Sequence, residues 1–584
     1  MRAASVLGVS TGLILAAGMP PAAVAEVVRV ARFGALPDDG VDDTLAVAQA
    51  IEACGRSPGA RLVFARGRYD FAEGQNPAAP RASMIFRNLS DLTVDGGGAL
   101  LMFRGLIAPM QFSACAGVRV RNLTIDWERP PFSVGTIVAR GDRTLDVRVA
   151  EEFPVRGGEP VQALADYDPA TRLPRRQGAE LYHGVESTEL VAPQTLRLHL
   201  RTPMNIETGS LTVLRHQVYG FNALVFDRCA GVKVENVTVH TAPGMGLVGQ
   251  RCDDIALDRF RVVPRPGTGR LMSTTADATH FKACAGTIRM TRCEFDGMGD
   301  DAVNVGSLYL QVRQRVDDRT VIAGHPLKMP ATPEPGEKLE LSHADDLLVY
   351  AEADVAAVEP LPADALCRIS FAGPLPDELR AGDVLGNASR TAAVRISRCS
   401  VRNNRARGML IQTRDAVVED CTFENCTSGG VWVLTEVVHF FEAIGTRGVV
   451  VRNNTFTRCN YSGPLGEGVL GVYAYLAGFA YPPRPGVHRD TVLENNIIRQ
   501  ADNCGIFVAG ADGIVIRGNR IEGVCARPTR DSGRSAICLM STRNARIAGN
   551  TAEPDRQGPG LSAVFTLGPG CEESTVIVED NQGF

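Results

Sequence analysis

FDRCAGVKVENVTVH (226–240) and QRCDDIALDRFRVV (250–263) are two successive copies of one sequence pattern. In each copy a cysteine precedes a short run of residues that alternate between apolar and polar, as in a β-strand with one buried face. A turn at an Asn or a similar residue follows, and a second short alternating segment begins after it. Cys229 and Cys252 are 23 residues apart, an interval compatible with one coil of a parallel β-helix.

The same pattern recurs along most of the chain, and this recurrence predicts an all-β solenoid rather than a β-sandwich. Further copies are FSACAGVRVRNLTIDW (112–127), FKACAGTIRMTRCEF (281–295), VRISRCSV (394–401), AVVEDCTF (416–423), VVVRNNTF (449–456), TVLENNII (491–498), GIVIRGNRI (513–521) and ARIAGNTA (545–552). An Asn side chain can bond to backbone groups at a turn and tolerates left-handed dihedral angles. We therefore predict a stacked column of Asn122, Asn236, Asn454, Asn496, Asn519 and Asn550.

Seven of the 15 cysteines also recur in register, in two equivalent positions of the repeat. The first position holds Cys115, Cys229, Cys252 and Cys284, and the second holds Cys293, Cys399 and Cys421. We interpret them as small buried residues stacked in ladders rather than as disulfide partners, although the sequence does not exclude that some pairs oxidise. Metal binding is not expected, since no CxxC motif or histidine cluster accompanies them.

Composition limits the classes of partner. Lys and Arg number 61 against 66 Asp and Glu, a formal net charge of −5 over 584 residues, and no basic block stands out. Nucleic acid and anionic membrane surfaces therefore have no support as partners. The 60 glycines and the 6% aromatic content favour a turn-rich β protein.

The N-terminus has the pattern of an export signal. Arg2 precedes an apolar run from Ala3 to Met19, and Ala23-Val24-Ala25 forms a small-x-small cleavage site before Glu26. We expect residues 1–25 to be removed and the mature protein to be periplasmic or extracellular. No later apolar run is long enough to span a bilayer.

Two segments interrupt the repeat, 132–218 and 307–393, and each consists of short alternating strands with polar turns. We predict two small antiparallel β-barrels inserted between coils. A short helix near 42–55 would cover the first coil. The predicted organisation is a signal peptide at 1–25, a cap and first coils at 26–131, barrel 1 at 132–218, coils at 219–306, barrel 2 at 307–393 and C-terminal coils at 394–584.

The chemistry is predicted to lie in STTADATHFKACAGTIRMTRCEFDGMGDDAVNVG (273–306). Asp277 precedes Asp300 and Asp301 by 23 and 24 residues, so one turn of the solenoid would return the chain to the same corner. Crowded carboxylates raise one another's pKa, so one acid can stay protonated near neutral pH. An acid and a base together are what hydrolysis of a glycosidic bond requires.

The chain resembles glycoside hydrolase family 110, the exo-acting α-1,3-galactosidases. The resemblance is carried by NLTIDWERPPFSVGTI (122–137), DATHFKACAGTIRMTRCEFDGMGDDAVNV (277–305), NNRARGMLIQT (403–413) and GGVWVLTE (429–436), and it covers essentially the whole mature chain. It implies a right-handed β-helix with two barrels and metal-independent hydrolysis, without a cofactor, that inverts the anomeric carbon. The implied substrate is a glycan with terminal α-1,3-linked galactose, as in blood group B and α-Gal structures.

The resemblance also implies roles for the three aspartates. Asp300 would be the general acid, and Asp277 and Asp301 would activate water. Because acid and base in inverting enzymes lie roughly 6.5–9.5 Å apart and adjacent coils about 4.8 Å apart, we expect these side chains to splay. The candidate substrate-binding residues are His280, Arg405, Arg407, Trp432 and Glu436.

Three other readings remain open from sequence. An inverting polygalacturonase is also a β-helix with an Asp…Asp-Asp set, but the corresponding coil here, RARGMLIQTR (405–414), lacks a histidine and the basic pair that a uronate needs. A polysaccharide lyase would add a calcium-binding carboxylate cluster, which the surrounding sequence resembles less. A non-catalytic β-helical adhesin needs no acid trio at one level of the coil. Linear or fucosylated substrate preference, disulfide pairing, pH optimum and oligomeric state are not determined by the sequence.

Overall fold

The computed structural model describes residues 26–76, 79–362, 365–462, 467–527, 535–554 and 563–583. The proposed signal peptide at 1–25 lies outside the described residues. The molecule is a parallel β-helix with two antiparallel inserts, as predicted. None of the helices in the described ranges is long and apolar enough to cross a membrane.

One parallel sheet runs the length of the solenoid and carries the candidate site. We call it the site sheet. Its strands pair in chain order, one per coil. They are Ala82–Arg87, Ala108–Ser113, Leu224–Asp227, Leu247–Gln250, Thr279–Lys282, Val303–Leu308, Met409–Ile411, Val431–Glu436, Leu470–Tyr475, Ile506–Ala509, Ser535–Met540 and Ala563–Leu567.

The rest of each coil forms a 22-stranded parallel sheet. The strands that lie before the turn of a coil, or continue through it, are Val27–Arg29, Arg61–Val63, Thr93–Arg104, Arg119–Trp127, Ala230–Val239, Asp253–Val262, Ala285–Thr291, Ala393–Ser397, Arg414–Glu419, Arg447–Arg452, His488–Glu494, Ala511–Arg517, Arg543–Ala548 and Val576–Glu579. After the turn follow Arg68–Ala72, Glu294–Asp296, Ser400–Arg402, Thr422–Glu424, Thr455–Thr457, Ile497–Arg499, Arg520–Val524 and Thr551–Pro554. Apolar side chains from both sheets fill one continuous core, with like residues stacked between coils; the Phe86 and Phe112 rings, for example, are 4.3 Å apart.

Both inserts are antiparallel. The first has seven strands in one sheet, Phe132–Arg140, Thr144–Val149, Ala163–Tyr167, Glu180–Tyr182, Val185–Ala192, Thr195–Leu200 and Leu211–Arg215. The second is a closed six-stranded barrel of Leu310–Arg315, Thr320–Gly324, Lys338–Ser342, Val349–Pro360, Leu366–Phe371 and Val384–Asn387. A two-residue strand, Glu442–Ala443, pairs antiparallel with Val303–Leu308 beside the second barrel. In the first insert, the strand pairings run from one end of the sheet to the other without closing it.

The N-terminal helix spans Thr44–Cys54 and packs against the first coil. Asp43 is its N-cap residue and Gly55 its C-cap residue, close to the predicted limits. Leu45, an apolar residue in the first turn of this helix, is 53% exposed. The face that packs on the core consists of Val47, Ala50, Ile51 and Cys54. Two 3-10 turns flank later strands, at Ala477–Phe479 and Glu573–Thr575, and another, Val30–Phe33, precedes the helix.

The second cysteine position and the C-terminal asparagines form one continuous column. The backbone N–H of Cys293 donates to the Cys399 sulfur, that of Cys399 to the Cys421 sulfur, and that of Cys421 to Asn454 Oδ1. The column continues through side-chain bonds of 2.9–3.1 Å along Asn454, Asn496, Asn519, Asn550 and Asn581. At this position of the repeat, a cysteine sulfur and an asparagine oxygen both accept the backbone N–H of the preceding coil.

Asn122 and Asn236 belong to a neighbouring column. Both have left-handed φ angles, 56° and 53°, and the Asn236 amide donates to Asn122 Oδ1 at 3.0 Å. The cysteines of the first position stack as predicted, each thiol contacting a carbonyl of the preceding coil, as Cys252 does with Phe226 O at 3.3 Å. The cysteines in the described part of the chain are free thiols.

Candidate active site

The three predicted aspartates converge at the corner that leads into the site sheet. Thr279 pairs with Val303, so Asp277 and Asp301 occupy the same position of successive coils, and the Ala278 N–H donates to the Asp301 carbonyl at 2.9 Å. Asp300 is the residue before Asp301 in this turn. One oxygen of each carboxylate lies within 4.8 Å of the others. We expected the three carboxylates to spread apart, and this expectation is wrong for their nearest oxygens. Stacking of the parallel coils brings these side chains together.

Arg407 is the next member of the same stack, since Val303 pairs with Met409 on the following coil. Its backbone N–H donates to Asp301 Oδ1 at 2.9 Å, and its guanidinium donates to Asp301 Oδ2 at 2.7 Å. Both oxygens of Asp301 therefore have a partner. Burial nonetheless raises the pKa of Asp301 well above its ordinary value, with Arg407 opposing the shift and the Asp300 charge adding to it.

Asp277 is held by the predicted residue His280. Its Oδ2 lies 2.8 Å from His280 Nδ1, a bond in which either group can hold the proton. Burial raises the pKa of Asp277 well above the usual range, and the charge of Asp300 raises it further. Burial also lowers the pKa of His280, so this imidazole is neutral at neutral pH.

Asp300 is the most exposed of the three carboxylates, and its partners come from elsewhere in the chain. The Tyr219 hydroxyl donates to Asp300 Oδ2 at 3.0 Å, and Arg405 Nη1 lies 3.4 Å from Asp300 Oδ1. The Arg405 guanidinium also pairs with Glu180 and lies over the Tyr182 ring, 5.3 Å from its centroid. Arg405 thus touches the site through Asp300, beside the first insert.

A cleft of about 380 Å³ lies above the carboxylates and crosses the outer face of the site sheet. Asp277, His280, Asp300, Asp301 and Arg407 all line it. It is also lined by Tyr219, Asn222, Met245, Val248, Gln250, Lys282, Asn304, Gly306, Ser307, Leu308, Met329, Gln412, Phe440 and Glu442. The second insert contributes Met329, and the loop after Glu436 contributes Phe440 and Glu442.

Three predicted substrate-binding residues, Arg405, Trp432 and Glu436, lie outside this lining. Trp432 is buried among aromatic residues, its indole N–H donating to Gly468 O at 2.9 Å and its ring 5.5 Å from that of Tyr473. The Glu436 carboxylate is buried as well and accepts the backbone N–H groups of His439 and Phe440, each at 2.6 Å. Trp432 therefore packs in an aromatic core cluster, and Glu436 holds the loop that presents Phe440 to the cleft.

Several residues that line the cleft were not predicted from the sequence. The Glu442 carboxylate accepts one hydrogen bond from the Asn304 amide at 3.2 Å and one from the Gln412 amide at 2.9 Å. Burial lowers the pKa of Lys282 to about 8. Lys282 alternates with His280 on one strand, which is a signal that places it on the outer face. Tyr219 and Phe440 lie in irregular segments without a comparable signal.

The three aspartates are also the set among the described residues whose spacing suits a metal ion. In this geometry the Arg407 guanidinium already places a positive charge against Asp301 Oδ2, while the Arg407 backbone N–H donates to Oδ1. Asp277 is likewise engaged by His280. The chain thus provides its own counter-charge to the cluster.

Comparison with known proteins places the chain among related sequences. The family model described as a right handed beta helix region matches residues 383–480. Alpha-1,3-galactosidase B of Phocaeicola vulgatus is 27% identical over 90% of this chain and 95% of its own length. Alpha-1,3-galactosidase A of Bacteroides fragilis is 25% identical over 90% of this chain and 92% of its own length.

A third relative, alpha-1,3-galactosidase B of Akkermansia muciniphila, is 28% identical over 85% of this chain and 66% of its own length. Among solved structures, the Agl-KA catalytic domain aligns over 97% of this chain and 70% of that chain, at 12% identity and a TM-score of 0.48. The resemblance carried by the motifs is confirmed by the curated relatives: over about nine-tenths of its length the chain is a homologue of alpha-1,3-galactosidases, consistent with glycoside hydrolase family 110.

Proposed function

We propose that this protein is a glycosidase that removes terminal α-1,3-linked galactose from oligosaccharides or glycoconjugates. The observation that carries the proposal is the stacking of Asp277 and Asp301 on successive coils, with Asp300 beside them, at the base of one cleft. A solenoid needs no carboxylates crowded in this way for its stability, because burying them raises their pKa values and disfavours their charged forms. The names of the full-length relatives supply the substrate class.

In the proposed mechanism Asp300 protonates the leaving glycosidic oxygen, because it is the carboxylate most open to the cleft. Asp277 and Asp301 position the attacking water. Burial raises the pKa values of Asp277 and Asp301 well above their usual range, which favours retention of a proton in this buried part of the cluster. Loss of a proton to the leaving group is then offset by a proton taken from water within the same cluster.

We propose inversion at the anomeric carbon. A retaining enzyme forms a covalent bond between a carboxylate and this carbon. Here both Asp301 oxygens are occupied by Arg407, and Asp277 is only 4% exposed, which favours water as the nucleophile. The approach of the carboxylates to within 4.8 Å is nearer to the roughly 5–5.5 Å of retaining enzymes than to the separation in inverting ones. The anomer formed first is therefore a decisive measurement.

The test is release of galactose from a linear Galα1-3Gal disaccharide and from the fucosylated B trisaccharide, with NMR following the first anomer. We expect β-galactose to form first, and we expect EDTA to leave the rate unchanged. Asp300→Asn should lower kcat by about 10²–10⁴-fold. As a matched control, Asp296→Asn changes an aspartate that pairs with Arg402 on the opposite sheet and should retain activity.

Three other outcomes would contradict parts of the proposal. First formation of α-galactose would establish retention. Absence of release from both substrates by a folded protein would reject galactosidase activity, and galacturonan would be the next substrate to test. Glycan binding that survives with no turnover of any substrate would support the adhesin.

We also propose that residues 1–25 direct export and are removed. Mass spectrometry of the protein recovered from outside the cytoplasm should give a chain that begins near Glu26. Recovery of a chain that retains residues 1–25 from the cytoplasm alone would reject export.

A further inference from the structure

Three aromatic side chains contact one another in sequence, and the first of them, Phe440, lines the cleft. Phe440 is 49% exposed. The ring of His439 lies 6.2 Å from that of Phe440 and 5.1 Å from that of Phe479, which belongs to the next coil. His439 and Phe479 lie beyond the cleft lining. We call Phe440, His439 and Phe479 the aromatic rim.

The loop that presents Phe440 and His439 is held rigidly. The buried Glu436 carboxylate accepts the backbone N–H groups of both residues, and His325 Nε2 of the second insert lies 2.7 Å from the Phe440 carbonyl oxygen. Four backbone donors, from residues 438, 439, 440 and 442, converge on this one carboxylate. On a mobile loop, an exposed Phe side chain would turn toward the protein surface and bury its ring there. Here the backbone is fixed with the ring exposed.

Phe479 is also held in an uncommon conformation. Its φ is 59°, in the left-handed region that bulky residues rarely adopt. It still contacts the Tyr475 ring at 5.4 Å, so its position is determined by packing. Backbone strain of this kind persists where the surrounding structure imposes it, and it is frequent at ligand-binding sites.

The rim suits the C–H face of a neutral sugar. Exposed aromatic rings are unfavourable in water, and they gain free energy when an apolar surface covers them. The rim continues the cleft, so its occupant is the part of the glycan that continues from the residue bound in the cleft. We propose, resting on the proposed function, that the aromatic rim binds the sugar residue to which the terminal galactose is linked.

The experiment compares two constants that report different parts of the site. The inhibition constant of free galactose reports the terminal site alone, and KM for the linear disaccharide reports both sites. His439→Ala and Phe479→Ala should each raise KM for the disaccharide about fivefold, leaving kcat and galactose inhibition unchanged. Phe440→Ala should weaken both constants, whereas Phe440→Tyr should retain them. Ile577→Ala, at an exposed apolar position in the C-terminal strand, is the matched control and should change neither constant.

The rim would be rejected if KM for the disaccharide changed less than twofold in both outer variants, or if galactose inhibition changed equally. Calorimetric titration of the disaccharide into Asp300→Asn protein, with and without Phe479→Ala, gives the same comparison without turnover. Failure of the wild-type protein to release galactose would reject the proposed function. A fivefold loss of disaccharide affinity in that titration would still support the rim, so the two failures are distinguishable.

Discussion

The two buried aspartates of the cluster have different electrostatic surroundings. Asp301 accepts two bonds from Arg407, and these oppose the rise in its pKa that burial causes. The hydrogen-bond partner of Asp277 is His280, which burial keeps neutral. Asp277 also lies near the charges of Asp300 and Glu442, and both charges raise the pKa of Asp277. The ionised form of Asp277 therefore destabilises the folded state.

This difference predicts opposite effects of two similar substitutions on stability. For Asp277 the folded-state pKa is raised, so its contribution to stability is full below the unfolded-state pKa and is lost as pH rises through the folded-state pKa. Asp277→Asn removes this loss. We expect its Tm to exceed that of the wild type by about 2 °C at pH 7, with the difference shrinking toward pH 4 and activity nearly abolished.

Asp301→Asn should lower Tm at pH 7, because Arg407 would keep a buried charge without its counter-ion. Thermal unfolding of both variants between pH 4 and 8 checks the pair, and Asp296→Asn serves as the control. Equal destabilisation by the two substitutions would show that the Asp277 carboxylate does not oppose folding.

The convergence of the three aspartates was predictable, because it follows from a single spacing in the sequence. The separation of 24 residues between Asp277 and Asp301 equals one coil. The parallel register of the two strands that follow them therefore places both residues at the same position of successive coils. Trp432 and Glu436 were misplaced for a different reason. Both lie on a strand of the site sheet, where residue type does not reveal whether an outward side chain meets solvent or a neighbouring aromatic cluster. The surroundings of an outward side chain depend on the loops that cover the sheet, and the repeat pattern does not predict the paths of those loops.

At the scale of the element, the Cys–Asn column ties one coil to the next. Asn519 uses its whole side chain: Nδ2 donates to Leu493 O and Asn550 Oδ1, both at 2.9 Å, while Oδ1 accepts from the Asn496 backbone and side chain, both at 3.0 Å. These groups are buried, so water cannot replace the lost partners. The column is therefore a stability element of the C-terminal coils.

Asn519→Ala should lower the free energy of unfolding by about 3 kcal/mol, since unsatisfied buried groups cost about 1–3 kcal/mol each. Asn519→Cys should lose less than Asn519→Ala, because cysteine serves at the same position of earlier coils. Guanidinium chloride unfolding measures both, with the exposed Asn205→Ala as control. A loss below about 1 kcal/mol for Asn519→Ala would mean that the column contributes little to stability.

The repeat made the solenoid predictable at this scale, and the composition of 132–218 and 307–393 made the inserts recognisable. Pairing within the inserts was not predictable, because their strands alternate alike and their loops vary in length. The closed pairing of the second insert and the open order of the first follow from contacts between distant segments. The boundaries of the predicted domains remain predictions.

At the scale of the whole molecule, both inserts support the site that the solenoid carries. The second insert supplies Met329 to the cleft and His325 to the Phe440 loop. The first insert supplies Arg215, which is fully buried at the end of its last strand. Arg215 Nη1 donates to the carbonyls of Thr275 and Gly299, at 3.2 and 3.1 Å, and its guanidinium lies over the Tyr182 ring at 4.6 Å.

Thr275 and Gly299 precede Asp277 and Asp300 by two residues and one residue, so Arg215 holds the two turns that carry these aspartates. Arg215→Met should keep the apolar volume but free the two carbonyls, and a small displacement of the carboxylates should follow. We expect kcat for galactose release to fall about 10²-fold with little change in KM. Arg215→Lys should recover part of the rate, because its ammonium group can still donate to a carbonyl.

The control is Arg197→Met, which removes a half-exposed pair with Asp146 on the same insert and should leave kcat unchanged. Comparing the pH profiles of the variants separates positioning from general destabilisation. A displaced carboxylate cluster shifts the profile, whereas partial unfolding only scales the rate. If Arg215→Met kept its kcat and its pH profile, the first insert would have no part in positioning Asp277 and Asp300, and the solenoid alone would determine the geometry of the site.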